Sequence, residues 1–533
     1  MSDATLHSDK FPDQSADKHV EKTPASYDVL VVGGGINGVG IARDLVGRGL
    51  RVLLCEKDDL AAHTSSASSK LIHGGLRYLE FYEFQLVRKA LMEREILMRS
   101  APHLISPLRF ILPHVTGLRP RFILRAGLFL YDHLAKRELL PSSHSVRLDQ
   151  AELAQVLQPH LTHGFAYSDA WVDDARLVAQ LAQDAHERGA VIRTRTRLVD
   201  VHKESELWSV ALENAQGGRE QIYANCIVNA AGAWASQLAQ LCEPSQTQRH
   251  LRLIKGSHIV VKRLFDHDKA YIFQHPDGRI VFAIPYESDF TLIGTTDLEF
   301  KGNLDQVAIS AQEIEYLCEL SNQYFAQRIQ PSDVLWSYAG VRPLFDDGHA
   351  DAKAITRDYH LEVSATAPYL LNVFGGKITT FRRLAEQAST LLAEQMGWSQ
   401  TEWTAQACVP GGDVCGAIPN NQAVLGFEEF IQQMQQRYTW LPAHLMRRYV
   451  KAYGTRSAQL LDACYVIEDL GEQILPDLYA KEVEYLRRYE FAQTAQDILW
   501  RRSKLGLHLP DALSAQAILN AWLVLHPVDN QAQ

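Results

Sequence analysis

The chain of 533 residues carries 53 Lys or Arg against 63 Asp or Glu, a formal net charge of −10. This acidic excess argues against a protein that mainly binds nucleic acid, because such proteins are normally basic. Its 46% hydrophobic and 22% charged residues are globular values, and a chain this long exceeds what one hydrophobic core usually serves. No run of about eighteen apolar residues occurs, so no membrane-spanning helix is predicted. The seven cysteines are dispersed without a CxxC pair, which disfavours disulfides and a metal site and is typical of a reducing cytoplasm.

The first predicted elements are a strand, a glycine turn and a helix. Tyr27–Val32 is a short apolar run, typical of a buried parallel strand, and it leads into Gly33, Gly35 and Gly38 of a GxGxxG pattern. Glycine lets the backbone approach a pyrophosphate, and the N-terminus of the helix faces its negative charge. A second strand then delivers Glu56, whose carboxylate can accept hydrogen bonds from ribose hydroxyls. The pattern predicts dinucleotide binding and disfavours NADP.

A hydroxyl-rich loop with the sequence TSSASSKLIHGG follows at residues 64–75. A solvated loop is one interpretation of such a segment. Its place directly after the ribose-binding acid favours a role along the phosphates and ring of the cofactor. The candidate cofactor-binding residues in this loop are Thr64, Ser65, Ser68, Ser69 and His73.

Residues 119–137 form a basic amphipathic stretch. Five Arg or Lys residues and one Asp give it a formal charge of +4, and apolar and aromatic residues lie between them. Such a stretch can lie in the headgroup plane of a membrane and be attracted to anionic lipid. A buried helix with a basic outer face is the alternative.

A second strand, glycine turn and helix follow much later in the chain. The apolar run Tyr369–Phe374 leads into Gly375, Gly376 and Lys377, and Thr379 opens a helical stretch. A helix N-terminus and a lysine can stabilise negative charge on a flavin ring as it is reduced. An ordinary turn between a strand and a helix is the alternative. No second strand–GxGxxG–helix unit occurs, which disfavours a reductase with two dinucleotide domains.

Together these segments resemble the FAD-dependent, quinone-linked glycerol-3-phosphate dehydrogenases of the D-amino-acid-oxidase-like flavoprotein superfamily. The matching stretches run in order along nearly the whole chain, and the cofactor motifs alone would mark only the superfamily. They are GGGINGVGIARD at 33–44, SSASSKLIHGGLRYLE at 65–80, YSDAWVDDARLV at 167–178, LIKGSHIVV at 253–261, IGTTDLEF at 293–300, AGVRPL at 339–344, AITRDY at 354–359 and FGGKITTFRRLAE at 374–386.

The resemblance implies FAD as cofactor, sn-glycerol 3-phosphate as reductant, dihydroxyacetone phosphate as product and membrane quinone as electron acceptor. Three alternatives are a glycerol-3-phosphate oxidase that uses oxygen, an amino-acid or amine oxidase, and a flavin-binding redox sensor without turnover. Because quinone is lipid-soluble, the resemblance favours membrane contact through residues 119–137. We therefore expect a cytoplasmic protein that is peripheral on the inner face of the cytoplasmic membrane. A homodimer is one option for its oligomeric state.

Arginines are the predicted ligands of the substrate phosphate, because a guanidinium group binds phosphate oxygens in a bidentate manner. The candidates are Arg77 with its neighbour Tyr78, together with Arg342 and Arg357. The resemblance places phosphate contacts in AGVRPL and TRDY, which contain the last two of these arginines.

Oxidation of a secondary alcohol also requires a general base for the hydroxyl proton. His258 and His73 are the candidates, and His258 is favoured because it lies in a strand that we assign to the substrate sheet. The sequence leaves this choice open. Lys377 is expected to stabilise the reduced flavin or the oxyanion, so the candidate catalytic residues are His258, Arg342 and Lys377.

The predicted fold class is α/β and α+β, with a Rossmann-like FAD-binding domain, an interposed β-rich substrate cap and a C-terminal helical domain. The predicted limits are 1–26 for a flexible N-terminal tail, 27–105, 165–245 and 335–400 for the FAD-binding domain, 106–164 and 246–334 for the cap, and 401–533 for the helical domain.

Overall fold

A computed structural model describes residues 25–244, 251–275, 278–345, 358–398 and 401–527. The strands are β1 (Ala25–Val32), β2 (Val52–Cys55), β3 (Leu71–Ile72), β4 (Ile105–Pro113), β5 (His144–Arg147), β6 (His163–Val172), β7 (Val191–Arg193), β8 (Thr196–Glu204), β9 (Leu207–Asn214), β10 (Arg219–Asn229), β11 (Leu251–Lys262), β12 (Ala270–Gln274), β13 (Ile280–Tyr286), β14 (Phe290–Gly294), β15 (Leu298–Glu299), β16 (Val334–Phe345), β17 (His360–Val363), β18 (Tyr369–Phe374), β19 (Gln473–Leu475) and β20 (Leu478–Tyr479). The helices are α1 (Ile36–Gly47), α2 (Phe84–Ser100), α3 (Arg121–His133), α4 (Asp174–Glu187), α5 (Ala235–Cys242), α6 (Ala311–Tyr324), α7 (Phe381–Met396), α8 (Asn421–Leu425), α9 (Phe427–Arg437), α10 (Ala443–Tyr453), α11 (Ser457–Leu460), α12 (Ala480–Glu490) and α13 (Ala512–Leu525).

The first sheet has a parallel centre in the order β18-β10-β1-β2-β7. Its central strand β1 is buried on both faces, as its continuous apolar sequence predicts. Val29 and Val31 pack in one core with residues of α1, α4 and α7, whereas Leu30 packs in another with Trp208 of β9. Each buried side chain of this size stabilises the fold by about 1.5–3 kcal/mol. The sheet therefore holds the ends of β1, β2 and β18 in fixed positions.

The second sheet has the order β15-β11-β14-β13-β12-β4-β6-β3, and β16 pairs with β11. The antiparallel register of β11 and β16 places His258 opposite Tyr338, and Ile254 opposite Arg342. Ile259 belongs to the core beneath α6, whereas Val260 belongs to the core on the other face. This alternation directs His258 away from α6.

The helices α9–α13 form a core of their own. Buried ion pairs join this unit to the loop after β2 and to α4. Arg502 donates to Asp59 at 2.8 Å, and Arg176 of α4 donates to Glu490 at 2.7 Å. Among the described residues, no helix is both long enough and apolar enough to cross a membrane. The architecture confirms the predicted fold class, while the residue limits of the three domains stay a prediction.

Candidate functional site

The turn after β1 requires glycine at two positions. Gly33 has a φ of +118°, and a Cβ atom there would lie 2.4 Å from the carbonyl oxygen of Ala230. A Cβ atom on Gly38 would lie 1.9 Å from the carbonyl oxygen of Gly33. Gly35 stands immediately before α1. The backbone is thus open to close approach by a ligand in front of the N-terminus of α1.

Glu56 stands at the end of β2 and is 9% exposed. Its two carboxylate oxygens accept main-chain N–H groups from Gly34 at 2.6 Å and Asp58 at 2.9 Å. Burial raises the pKa of Glu56, and these two N–H groups oppose the rise. The carboxylate borders a cavity of about 350 Å³, called cavity A, which also contacts Gly33, His63 and Trp234. Cavity A is the candidate site for the adenosine half of a dinucleotide.

The hydroxyls of the loop after β2 contact protein atoms. Thr64 donates to a main-chain carbonyl of β16 at 2.7 Å, and Ser65 accepts the first main-chain N–H of α1 at 2.9 Å. Ser68 donates to Asp174 of α4 at 2.7 Å. These bonds tie the loop to β16, α1 and α4, and the loop borders a second cavity of about 270 Å³, called cavity B. Direct cofactor contact by these hydroxyls stays a prediction.

The second glycine turn lies across cavity B from the first. Gly375 and Gly376 have φ values of +78° and +100°. Asn37 of α1 donates to the carbonyl oxygen of Gly375 at 3.1 Å, which joins the two turns directly. The Lys377 ammonium lies 4.0 Å from the centre of the Tyr78 ring, and it is buried without a hydrogen-bond partner among the described residues. A buried cation in this state is suited to an anionic ligand group.

His258 borders cavity B and is 3% exposed. Its Nε2 atom lies 2.9 Å from the Ser69 hydroxyl, and its ring stacks on Tyr338 at a centroid distance of 4.8 Å. Burial, with the positive charges of Lys70 and Arg342, lowers the pKa of His258 to about 3. The imidazole is therefore neutral at physiological pH, as proton acceptance requires.

The other candidate base, His73, also borders cavity B. Its main-chain N–H donates to the Thr379 hydroxyl at 3.2 Å. Burial lowers the pKa of His73, and the nearby Asp169 carboxylate opposes this effect. The structure thus brings both histidines to the same cavity.

Three arginines converge on a chamber of about 120 Å³ that adjoins cavity B. Arg77, Arg279 and Arg342 all line this chamber, which we call the arginine chamber. Arg342 donates to Asp297 at 2.8 Å, and the Arg279 guanidinium lies 4.2 Å from the centre of the Tyr316 ring. Ser69, His73 and Tyr78 line the chamber and cavity B alike. A phosphate in the chamber would leave the rest of a small substrate in cavity B.

The surface of α3 is aromatic and basic. Phe122 and Phe129 are 74% and 56% exposed, and Tyr82 nearby is 80% exposed. Beside α3 runs an apolar groove of about 340 Å³, called the α3 groove, which shares Arg77 and Arg279 with the arginine chamber. Its apolar lining includes Leu118, Ile123, Leu124, Leu128, Ile272 and Ile280.

Comparison with known proteins identifies the family. The chain matches the family described as FAD dependent oxidoreductase over residues 28–382, and the C-terminal domain of alpha-glycerophosphate oxidase over residues 403–521. A glycerol-3-phosphate dehydrogenase of Pseudomonas aeruginosa is 51% identical over 92% of this chain and 94% of its own length. The chain belongs to the FAD-dependent glycerol-3-phosphate dehydrogenase family.

Two further relatives show how widely this glycerol-3-phosphate dehydrogenase family extends. A D-erythritol 1-phosphate dehydrogenase of Brucella abortus is 46% identical over 92% of this chain and 96% of its own length. The structure of a glycerol-3-phosphate dehydrogenase from Bacillus halodurans complexed with FAD superposes with a TM-score of 0.75. That protein is 26% identical, and the match covers 94% of this chain and 90% of the other.

FAD, the cofactor of this family, fits the residues present. Gly33 and Gly38 leave the room that a pyrophosphate needs, and Glu56 borders a cavity large enough for adenosine. The Lys377 ammonium, which has no hydrogen-bond partner in the part of the chain that the structure describes, borders cavity B, where the flavin ring would lie. The chain is an FAD-dependent oxidoreductase.

Sequence reasoning missed several residues that border the site. Asn37 lies inside the first glycine motif, and Asp297 lies inside the IGTTDLEF segment, but neither spacing signals a partner in another part of the chain. Arg279 precedes β13, and only the sheet order reveals that it faces Arg77 and Arg342. The candidate Arg357 lies outside the described residues.

Proposed function

We propose that the chain oxidises the C2 hydroxyl of sn-glycerol 3-phosphate to the ketone of dihydroxyacetone phosphate and passes the electrons to membrane quinone. One observation carries the proposal: a chamber lined by three arginines opens into the cavity that holds His258 and the Lys377 turn. This division matches a substrate with a dianionic phosphate at one end and an alcohol at the other. In the reaction the hydroxyl loses a proton and the carbon loses a hydride, for which bound FAD supplies the acceptor.

Arg77 and Arg342 are proposed to bind the phosphate, and Arg279 extends the positive lining of the chamber. Two or three guanidinium groups match the charge of a phosphate dianion better than that of a carboxylate. This argument disfavours the amino-acid oxidase alternative. Asp297 fixes the position of Arg342 through their 2.8 Å bond before substrate arrives.

His258 is proposed to accept the hydroxyl proton. It is neutral at physiological pH because burial and the charges of Lys70 and Arg342 lower its pKa. A phosphate dianion beside Arg342 offsets part of that positive charge, so substrate binding raises the basicity of His258. Lys377 is proposed to stabilise the negative charge that develops in cavity B during the reaction.

The test is anaerobic mixing of the purified flavoprotein with sn-glycerol 3-phosphate while the absorbance band of the oxidised flavin is recorded. Rapid bleaching, followed by recovery on addition of quinone and only slow recovery in air, is the expected result. Fast recovery in air would instead identify an oxidase. Retained flavin that this substrate does not bleach would refute the substrate assignment and would fit a redox sensor.

A second candidate substrate is a phosphorylated tetritol. The 46% identity to a D-erythritol 1-phosphate dehydrogenase over nearly the full length of both proteins supports it. Comparison of kcat/KM for sn-glycerol 3-phosphate and D-erythritol 1-phosphate decides between them. We expect glycerol 3-phosphate to be preferred, and the reverse ratio would assign the longer polyol.

Membrane contact is proposed to occur through α3. Its exposed Phe122 and Phe129, with the +4 charge of residues 119–137, are suited to an anionic membrane surface. The enzyme would then lie on the inner face of the cytoplasmic membrane, and a quinone could enter the α3 groove directly from lipid. Light scattering tests the homodimer, which stays a prediction.

Filling the α3 groove tests the quinone proposal. Leu118 lines the groove but neither cavity B nor the arginine chamber. We expect Leu118→Trp to raise the KM for a short-chain quinone while glycerol 3-phosphate still bleaches the flavin at the wild-type rate. An unchanged quinone KM would place the acceptor site elsewhere.

A further inference from the structure

A buried hydrogen-bond network links α3 to the loop that carries Arg77. Tyr131 lies on the inner face of α3 and is 3% exposed. Its hydroxyl donates to the Asp169 carboxylate, at 2.8 Å from Oδ1 and 3.0 Å from Oδ2. Arg94 of α2 donates to the same carboxylate at 2.6 Å. Tyr131, Asp169 and Arg94 form what we call the Tyr131 network.

The same tyrosine hydroxyl accepts the main-chain N–H of Gly74 at 2.8 Å. The approach is so close that a Cβ atom on Gly74 would lie 2.6 Å from the hydroxyl oxygen. On the other side, the N–H of His73 is held by Thr379, which follows the second glycine turn. The main chain of the loop is thus anchored at two consecutive residues, at His73 to Thr379 and at Gly74 to Tyr131 of α3.

The anchored segment leads directly into the phosphate-binding candidates. Gly75 has a φ of +75°, and a Cβ atom there would lie 2.2 Å from the ring of Tyr78. Tyr78 in turn lies beneath the Lys377 ammonium. Arg77 stands between Gly75 and Tyr78 in the chain, on the short helical turn Leu76–Phe81, and it lines the arginine chamber. A shift at Gly74 therefore moves Arg77 and Tyr78 together.

The hydroxyl of Tyr131 has two tasks that phenylalanine cannot perform. Burial, with the neighbouring Asp169 charge, raises the pKa of Tyr131 well above its ordinary value, so the group stays a proton donor to Asp169. Its oxygen is at the same time the nearer acceptor for Gly74, whose N–H lies 3.3 Å from Asp169 itself. Without the hydroxyl, only this longer contact would hold the loop.

We propose that Tyr131 is a positioning residue for phosphate binding, acting through Gly74 on Arg77 and Tyr78. The proposal rests on the proposed function, because it assigns the phosphate to the arginine chamber. It connects the proposed membrane-facing helix α3 to the substrate site through the buried Tyr131 hydroxyl and the main chain of Gly74.

The test is Tyr131→Phe in the FAD-loaded protein. We expect the KM for sn-glycerol 3-phosphate to rise about tenfold, while kcat changes less than twofold and flavin content stays at the wild-type level. The Kd of inorganic phosphate, measured by titration calorimetry on the oxidised holoenzyme, should rise by a similar factor. Tyr271→Phe is the matched control, because Tyr271 is fully buried and its hydroxyl bonds to His267 outside the site. This control should leave both constants unchanged.

A double-mutant cycle separates positioning from general stability. In an Arg77→Ala background, Tyr131→Phe should change the phosphate Kd much less than tenfold, because the charged group that it positions is gone and only Tyr78 is left. An equal tenfold effect in both backgrounds, or a wild-type Kd in the single variant, would overturn the proposal. Should Tyr131→Phe not fold, Gly74→Ala is the second variant, because a Cβ atom at this position would lie 2.6 Å from the Tyr131 hydroxyl oxygen and would push the loop away from it. This variant should weaken phosphate binding in the same direction, and a folded Gly74→Ala variant with a wild-type phosphate Kd would equally overturn the proposal.

Failure of the proposed function gives a different result. Glycerol 3-phosphate would then not bleach the wild-type flavin, yet the phosphate titration would still report whether Tyr131 controls the chamber.

Discussion

Replacement of Arg342 by alanine tests the phosphate assignment most directly. Charge-assisted hydrogen bonds to a phosphate contribute about 1.5–3 kcal/mol, which corresponds to a loss of about 10- to 150-fold in substrate affinity. The structure predicts a loss of affinity toward the upper end of this range. The Asp297 carboxylate, 2.8 Å from Arg342 in the native protein, would stay beside the incoming phosphate after the arginine charge is removed.

The assay combines the steady-state KM for glycerol 3-phosphate with the concentration dependence of anaerobic flavin bleaching. The double variant Arg342→Ala with Asp297→Asn removes the repelling charge as well. If the reasoning is correct, it recovers several-fold of the lost affinity while the flavin content of both variants equals that of the wild type.

A second consequence concerns His258, whose pKa is lowered by burial and, to a smaller extent, by the charges of Lys70 and Arg342. Removal of the arginine should raise that pKa toward its ordinary value. An unchanged KM would show that the phosphate binds elsewhere, and loss of flavin would show that Arg342 supports the fold. No recovery in the double variant would refute the repulsion argument alone.

Three further outcomes follow from the site and the surface. Glu56→Ala should weaken FAD retention, measured by flavin release on dilution, and full occupancy would remove its ribose role. His258→Asn should lower kcat by about 10²–10⁴-fold while His73→Asn retains most activity, and the opposite ranking in stopped-flow bleaching would identify His73 as the base. Arg121→Glu with Lys136→Glu should abolish sedimentation with anionic vesicles, since each lost basic residue costs about 1 kcal/mol near such a surface. Unchanged sedimentation would place membrane contact outside α3.

The cofactor half of the fold could be predicted because its signals are local. Tyr27–Val32, the three glycines and Glu56 occur within thirty residues, and each has a short-range physical reason. The predicted strand Tyr369–Phe374 coincides with β18. The α/β part of the predicted class followed from these strand and helix patterns, whereas the α+β cap was predicted from strand patterns together with the family resemblance.

The arrangement of the substrate side depends on pairings that are distant in sequence. His258 and Tyr338 meet only because β11 and β16 pair in one register, eighty residues apart in the chain. A shift of one residue would turn His258 to the other face of the sheet. Arg279 joins Arg77 and Arg342 through the order of strands in the same sheet, which no local spacing encodes.

The hydroxyl-rich loop at residues 64–75 shows a different limit of prediction from sequence. Its composition predicts polar contacts but not whether those contacts go to a ligand or to the protein. In the structure Thr64, Ser65 and Ser68 bond to protein groups, and Ser69 bonds to His258. The backbone between them still borders cavity B. A hydroxyl that anchors a loop and a hydroxyl that binds a cofactor look alike in sequence.

The charges of the site couple substrate binding to the proton transfer. Burial lowers the pKa of His258 most, and the charge of Arg342, which is proposed to bind the phosphate, lowers it further, so the base is weakest when the chamber is empty. Glycerol, which has the reacting alcohol but no phosphate, should therefore lose kcat as well as affinity. Inorganic phosphate added with glycerol should restore part of that rate, because a bound anion in the chamber raises the pKa of His258 again. The measurement is flavin bleaching by glycerol as a function of phosphate concentration. Activation that saturates would support this coupling, and simple absence of any phosphate effect would show that the two ends of the site act independently.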